Sequence, residues 1–393
     1  MLVGLVGKPS AGKSTFFKAA TLADVLIAAY PFATIKPNHG MGYVRVNCLC
    51  KEFKTRCNPR TGYCNGEVRF VPVELMDVAG LVEGASEGKG LGNQFLSDLS
   101  RADAFIHIVD VSGTTDAEGK EGIGNPLDDV RMLENELDLW YLGILNKIWR
   151  TFARKVQMEK QDLAKAVAKQ FSGLNVQEDD VKRILLKLKY DPERPDSWTD
   201  EQMKNFAHYL RHMTKPMIIA ANKIDKENAK ENLEKLRKEF TGIIIIPCSA
   251  DSELALREAS KAGLIEYLPG NTDFKILKDL NERQKAALEK IKKNVLDIYG
   301  STGVQEVLDK TVFDLLKYIA VFPASATKLG DSKGNILPDC FLVPQGTTAL
   351  DFAFRLHTDL GNNFIKAIDA KTKRAVGKEY VLKHRDGIEI ITK

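Results

Sequence analysis

The chain reads as an α/β protein built on a mostly parallel sheet, with a helical insertion and a small α+β domain toward its C-terminal end. Three observations predict this. Short apolar runs alternate with helical spacing through the first part of the chain and again from residue 217. The first of those runs is followed at once by a glycine-rich loop and then by a helical pattern. After Tyr318 the texture changes to short strands around one helical segment.

In order, "MLVGLVG", "VRFVPVELMDVAG", "AFIHIVDVSG", "MIIAANKID" and "GIIIIPCSA" read as strands, each ending in a polar or glycine-rich turn. That is the pattern of a parallel sheet with ligand loops at its strand ends. About a hundred residues of helical spacing separate the third strand from the fourth. Leu133, Leu137, Trp140, Ile144, Ile148, Phe152 and Val156 recur every three or four positions and predict one face of a long helix. Thr199 and Gln202 form a capping box for a later helix, and Pro192 and Pro195 break the pattern before it. Residues 127–213 are therefore expected to be a helical insertion, a hairpin packed in coiled-coil fashion, within a domain of residues 1–126 and 214–317. A further helical stretch is added over about 255–300, with helical spacing over 272–299, and the helix "VQEVLDKTVFDLLKY" follows "GSTG". The strands "IAVFPA", "CFLVPQG", "FIKAIDA", "RAVG" and "GIEIIT" surround the helix "TTALDFAFRLH" and predict a compact domain over 318–393.

With 44% apolar and 28% charged residues the composition is that of a globular protein and excludes a disordered one. A formal charge of +4 permits an RNA partner without demanding one. The most cationic stretch is 143–190, with eleven Lys/Arg against five Asp/Glu, and a solvated helix face explains it as well as phosphate contacts do. The first strand leaves no room for a signal peptide, and no apolar run approaches the roughly 18 residues that span a bilayer. The chain is expected to be cytoplasmic, free of membrane and monomeric.

The chemistry sits at the strand ends. "GKPSAGKS", residues 7–14, matches G-x-x-x-x-G-K-[ST] in full, between a predicted strand and a helical run. The loop Gly7, Lys8, Pro9, Ser10, Ala11 and Gly12 and the following Lys13, Ser14 and Thr15 are placed to curl backbone N–H groups around phosphate oxygens, Pro9 excepted because proline lacks an N–H, and the helix start adds its positive end. Lys13 is expected to reach the β and γ phosphates, and the Ser14 hydroxyl to bind Mg²⁺. Asp77 ends a strand, where a carboxylate would hold Mg²⁺ through water, and Gly80 would offer its N–H to the γ-phosphate. "ANKID" supplies Asn222, Lys223 and Asp225. Guanine presents two donors that one carboxylate accepts together, and adenine leaves that carboxylate unpaired, so Asp225 predicts GTP over ATP. Ser249 and Ala250, in "CSAD", complete the base pocket.

The series GKPSAGKS, YPFATIKPN, DVAGL, NKID and SA resembles the Obg/YchF branch of translation-related P-loop GTPases. The C-terminal stretch containing "LVPQGTTALDFAFRLHTDLGNNFIKAIDA" resembles a TGS domain, a ubiquitin-like β-grasp module. The resemblance implies a Mg²⁺-dependent GTPase that works with the ribosome or another RNA partner, with residues 318–393 as the TGS domain. It also implies that "YPFATIKPN" is the first switch, so that Thr34 closes onto Mg²⁺ and the γ-phosphate, making Lys13, Thr34 and Gly80 the catalytic set. YchF proteins proper depart from N-K-x-D and accept ATP, whereas this chain keeps the motif. Potassium-dependent relatives carry Asn where Ser10 stands, which leaves the monovalent ion open.

Leu81 occupies the position after Gly80 where Ras carries its water-orienting Gln. Phosphoryl transfer rests mostly on positioning and electrostatics, so slow intrinsic turnover is expected, accelerated by a partner. Glu83, Ser86, Glu87, Lys89, Asn93, Gln94 and Ser97 are all candidates for the water, and sequence does not choose among them. A nucleotide-sensing RNA scaffold with incidental hydrolysis is the competing reading. Cys48, Cys50, Cys57 and Cys64 are spaced C-x-C-x₆-C-x₆-C, which is open to Zn²⁺, to disulfides or to free thiols. His39 reads as a surface histidine, His107 as a core residue with its hydrogen bonds satisfied and His357 as a turn or packing residue.

Overall fold

The structure is a computed structural model and describes residues 1–22, 38–78, 80, 84, 99–331 and 333–393. Its first half runs β1 (Leu2–Val6), α1 (Lys13–Thr21), β2 (Asn38–Asn47), β3 (Tyr63–Cys64), β4 (Val68–Asp77) and β5 (Ala104–Asp110). Four helices follow, α2 (Pro126–Met158), α3 (Leu163–Gln170), α4 (Glu178–Leu188) and α5 (Asp200–Thr214). Then come β6 (Met217–Asn222), α6 (Ala229–Glu239), β7 (Ile245–Pro247), α7 (Ala250–Lys261), β8 (Ile265–Glu266), β9 (Lys275–Ile276), α8 (Glu282–Ile291) and α9 (Val304–Lys310). The chain ends with β10 (Tyr318–Pro323), β11 (Phe341–Pro344), α10 (Ala349–Leu356), α11 (Thr358–Asn362), β12 (Phe364–Asp369), β13 (Ala375–Val376) and β14 (Asp386–Thr392). The contacts divide the chain into two units, Met1–Gly40 with Glu74–Val307, and Met41–Val73 with Leu308–Lys393.

In the first unit β1 lies between β4 and β5, and β6 and β7 follow outward, with all four of these pairings parallel. Every residue of β5 and β6 is buried, as expected of strands covered on both faces. The register sets Leu5 beside Asp77 and Asp110 beside Asn222, so the carboxyl ends of β1, β4, β5 and β6 deliver their polar residues to one rim.

Asn125 starts α2 by accepting from the Leu127 N–H, with Pro126 in the first turn. The helix is 33 residues long. Tyr141, Leu145 and Trp149 of α2 share a core with Val167, Ile184, Phe206 and Leu210 of α3, α4 and α5. Thr199 and Gln202 cap α5 reciprocally, at 3.2 and 2.9 Å. The fully buried stripe of α2 is Leu133, Leu137, Tyr141, Leu145, Trp149, Ala153 and Val156. Trp140, Ile144, Ile148 and Phe152, expected on that stripe, are half-buried on its flank. The helix is wrapped by several neighbours, so its apolar face is wide and spacing alone does not rank the positions across it. The helix expected over 272–299 begins only at Glu282, because Asn281 and Gln284 close a capping box there and the preceding residues include β9. Among the described residues no helix is long and apolar enough to cross a membrane.

In the second unit a sheet of order β11-β10-β14-β12-β13 surrounds α10 with the core residues Val321, Val343, Phe352, Ala367 and Ile388. Only β10 with β14 is a parallel pair; the other pairings in this sheet are antiparallel. This is a β-grasp arrangement. The Met41–Val73 segment joins this unit through backbone bonds from Asn58 to Ile336, 3.1 Å, and from Arg60 to Pro338, 2.9 Å. His357 caps α11, its Nδ1 accepting from the Asp359 N–H at 3.1 Å.

Candidate functional site

Gly7 and Gly12 bracket the loop between β1 and α1, with φ of 144° and 98°. A Cβ on Gly7 would lie 2.4 Å from the Ile108 carbonyl oxygen, and one on Gly12 2.3 Å from Asn222 Nδ2. Both positions need glycine for conformation and for space. Lys13 is buried and donates to the Lys8 carbonyl at 2.8 Å. Burial lowers its pKa to about 8, against the opposing pull of Asp77.

The Ser14 hydroxyl donates to Asp77 Oδ2 at 2.7 Å, while Asp77 Oδ1 is buried without a partner among the described residues. Burial pushes the Asp77 carboxyl up, opposed by Lys13 and Ser14. The Ser14 hydroxyl and the partly unpaired Asp77 carboxylate are oxygen ligands of the kind a hard cation takes, so these two residues fit Mg²⁺. Gly80 sits against the loop, since a Cβ there would lie 2.8 Å from Pro9. Ser10 has φ 58°, and its buried hydroxyl has no partner among the described residues. Thr34, Leu81, Glu83, Ser86, Glu87, Lys89, Asn93, Gln94 and Ser97 lie outside the described residues. Gly84, within the same stretch, donates its N–H to Glu136 at 2.7 Å.

Asn222 links the two halves of the site. Its Nδ2 donates to the Ala11 carbonyl at 2.9 Å, and its Oδ1 accepts from the Ala250 N–H at 3.0 Å. Asp225 accepts from the Ser249 hydroxyl at 2.9 Å, and Ser249 also caps α7. Asp225 lines a cavity of 190 Å³ together with Lys290 and Ile291 of α8 and Asn294 of the π-helical segment that continues it. Thr15 follows Ser14 on the first turn of α1.

Several residues at this rim went unmarked in the sequence. Asp110 receives Lys223 Nζ at 2.7 Å, together with the hydroxyls of Ser112 and Thr115. Burial alone would raise its carboxyl, but those bonds outweigh it and hold the pKa below the usual range. The Lys8 side chain turns away from the loop to Asp129 on α2, 2.9 Å, and to the Thr115 carbonyl, 2.7 Å. Gly119 presses on Pro9 from the same loop, because a Cβ there would lie 2.6 Å from Pro9 Cβ. The only advance signal was position, since Asp110 ends an apolar strand as Asp77 does. His107 is buried, as expected of a core residue, and its pKa falls to about 3 by burial, but its Nδ1 has no partner among the described residues. His39 pairs with Glu74 at 2.8 Å. In the second unit the thiols of Cys48, Cys50, Cys57 and Cys64 lie within 4.8 Å of one another.

Comparison with known proteins agrees with this geometry. The family model for the 50S ribosome-binding GTPase matches residues 2–147, that for the G4 motif-containing domain of the Obg-like GTPase YGR210-like proteins matches 220–325, and that for the TGS domain matches 331–392. A GTP-binding protein of Methanocaldococcus jannaschii is 49% identical over 395 residues, covering 100% of this chain and 99% of that protein. The Bacillus subtilis ribosome-binding ATPase YchF is 29% identical, covering 99% of this chain and 98% of that protein. The crystal structure of a GTP-binding protein from Pyrococcus horikoshii superposes with a TM-score of 0.80 at 41% identity, covering 100% of both chains. In its motifs, in its fold and along its whole length, the chain belongs to the Obg-like, YchF-related family of P-loop GTP-binding proteins with a C-terminal TGS domain.

Proposed function

We propose that the chain binds GTP and hydrolyses it slowly to GDP and phosphate, as a conformational switch that works on the ribosome or another RNA. The observation that carries the reading is the Asn222 bridge, which holds the Asp225 loop and the Gly7–Gly12 loop in one site. A bound nucleotide would place its triphosphate over the N-terminus of α1 and its base against Asp225.

In this reading Lys13 releases the Lys8 carbonyl and turns its ammonium to the β and γ phosphates. Ser14 and Asp77 would hold Mg²⁺, which when bound would supply charge neutralisation at the phosphates. Gly80 and Thr34 close around the γ-phosphate, and Leu81 leaves the attacking water to be ordered by another group, hence the slow turnover. Asp225 accepts from guanine N1–H and the exocyclic amine, Ser249 steadies that carboxylate, and Ala250 closes the base pocket. A site built on such a carboxylate discriminates by about 10⁴-fold. Ribosome association is supported by the name of the Bacillus subtilis relative and by the family match.

The same relative is named an ATPase, which favours ATP as a second reading. Calorimetry with GTP and ATP, on the native chain and on Asp225→Ala, separates the two. A marked GTP preference that the substitution abolishes supports the proposal, and equal affinities in the native chain refute it. Single-turnover GTP hydrolysis with and without ribosomes then separates a switch from a scaffold, because a scaffold shows no stimulation and binds RNA regardless of nucleotide.

A further inference from the structure

The second unit contains chemistry that the nucleotide site does not use. Cys48 and Cys57 have their sulfurs 3.7 Å apart, Cys50 and Cys64 3.9 Å, and all four lie within 4.8 Å. Four thiolates around one Zn²⁺ at about 2.3 Å form a tetrahedron with edges of about 3.8 Å. A disulfide would need about 2.05 Å, and all four cysteines are free.

The surroundings complete the case. The Gly66 N–H points at Cys64 Sγ at 3.4 Å, the kind of backbone bond that steadies a metal-bound thiolate. Arg69 stands directly opposite Cys64 in the β3–β4 ladder, so their side chains leave the same face. Arg69 is 1% exposed, and its Nε and Nη1 have no partner among the described residues. A buried cation with open N–H groups is costly unless negative charge stands nearby. Four thiolates around one divalent ion carry that excess negative charge.

We propose that Cys48, Cys50, Cys57 and Cys64 hold one structural Zn²⁺ ion, with Arg69 as its buried counter-charge. Each ligating thiol gives its proton to solvent as the metal binds, and no redox step is involved. Zinc is preferred to ferrous iron at such a set because it binds thiolates more tightly. The ion pins the loop from Cys48 to Cys64 whose outer residues reach the C-terminal part of this unit. Asn58 bonds to Ile336 and Asn335, and Arg60 to Pro338 and Asp339. Metal loss should therefore free this loop as a body.

The test begins with the full-length protein purified without chelator. Metal analysis and native mass spectrometry should find one zinc per chain, with the four thiols unreactive until zinc is chelated. Cobalt exchanged into the site should give the sulfur-to-metal charge transfer and d–d bands of a tetrahedral thiolate ion. Chelation should open a new protease site between Cys50 and Cys64. Arg69→Met should weaken zinc, read by competition with a chromophoric chelator, by about 10- to 100-fold. Iron in place of zinc, a mass short by the hydrogens of a disulfide, or four freely titrating thiols with no metal would each overturn the proposal. Because these results come from the native chain, misfolding of the Arg69 variant leaves the test intact, and GTP binding is measured separately.

Discussion

Lys8 occupies a variable position of the phosphate-binding motif, yet its side chain is 1% exposed and makes an ion pair at 2.9 Å with Asp129, itself 9% exposed. Removing one partner of such a pair leaves an uncompensated buried charge and costs about 3–5 kcal/mol. Lys8→Met leaves the Asp129 carboxylate, which burial already pushes toward its neutral form and Lys8 opposes. Without Lys8 its pKa rises further above the unfolded value, so the native state binds the extra proton. Stability of that variant then falls as pH rises through the new pKa, by up to about 1.4 kcal/mol for each pH step of one. Asp129→Asn should cost less, because the Lys8 ammonium keeps the Thr115 carbonyl at 2.7 Å. Lys8→Met with Asp129→Leu replaces both charges by apolar groups and should recover most of the loss, giving a coupling of about 2–3 kcal/mol. Urea unfolding of the four proteins at acid and neutral pH measures this. GTP affinity of the double variant should stay within a few-fold of native, because the Lys8 side chain plays no part in holding phosphate. Single effects below about 1 kcal/mol, or strictly additive ones, would refute the buried-pair account. A double variant that keeps its stability but loses GTP would refute the assignment of Lys8 to structure.

Four further outcomes follow from the same rim. Asn222→Ala removes bonds of 2.9 and 3.0 Å and strands the Ala11 carbonyl and the Ala250 N–H, so thermal unfolding should report a loss of about 2–4 kcal/mol, with weaker guanine binding by calorimetry. Asp77→Asn relieves a carboxylate that burial disfavours, so the nucleotide-free protein should be as stable or more so, while its nucleotide affinity measured with and without Mg²⁺ should no longer differ. The Lys13 pKa of about 8 means that the free site loses its ammonium above that pH, so nucleotide affinity should fall by up to tenfold over the next pH unit while guanosine, lacking phosphates, shows no such fall; flat calorimetric titrations for both would contradict this. Gly119→Ala puts a methyl 2.6 Å from Pro9 Cβ at a φ of 80°, so filter-binding assays should show GTP affinity lost by more than tenfold although Gly119 belongs to no motif.

The parallel strands were legible because each is a largely apolar run stopped by a polar turn, with β5 and β6 buried throughout, and the phosphate loop because its glycines sit at fixed offsets from Lys13 and Ser14. Those signals are local. What the sequence hid is long-range. The Lys8–Asp129 pair and the Lys223–Asp110 pair each join residues more than a hundred positions apart, and no periodicity reports such a partner. The Met41–Val73 segment looked like part of the first domain because it interrupts that domain's strands, but it clusters with the C-terminal β-grasp sheet, held by backbone bonds to residues 336 and 338. The C-x-C-x₆-C-x₆-C spacing lacked paired knuckles and left zinc, disulfide and free thiols open, and only the fold brings the four thiols within 4.8 Å of one another, with Arg69 set beside Cys64.

The same distinction between local and long-range signals explains where control can act on the nucleotide site. Besides the motif residues Asn222 and Gly80, the phosphate loop is held by Gly119 and by the Lys8–Asp129 pair, with Asp110 fixing Thr115 beneath Lys8. Three of those contacts, through Pro9, Thr115 and Lys8, involve the loop after β5 or the start of α2, where the helical insertion departs from the sheet. The 33-residue α2 is therefore tied at its first turn to the phosphate loop by the buried Lys8–Asp129 pair, while the later turns of the helix pack into the insertion's own core.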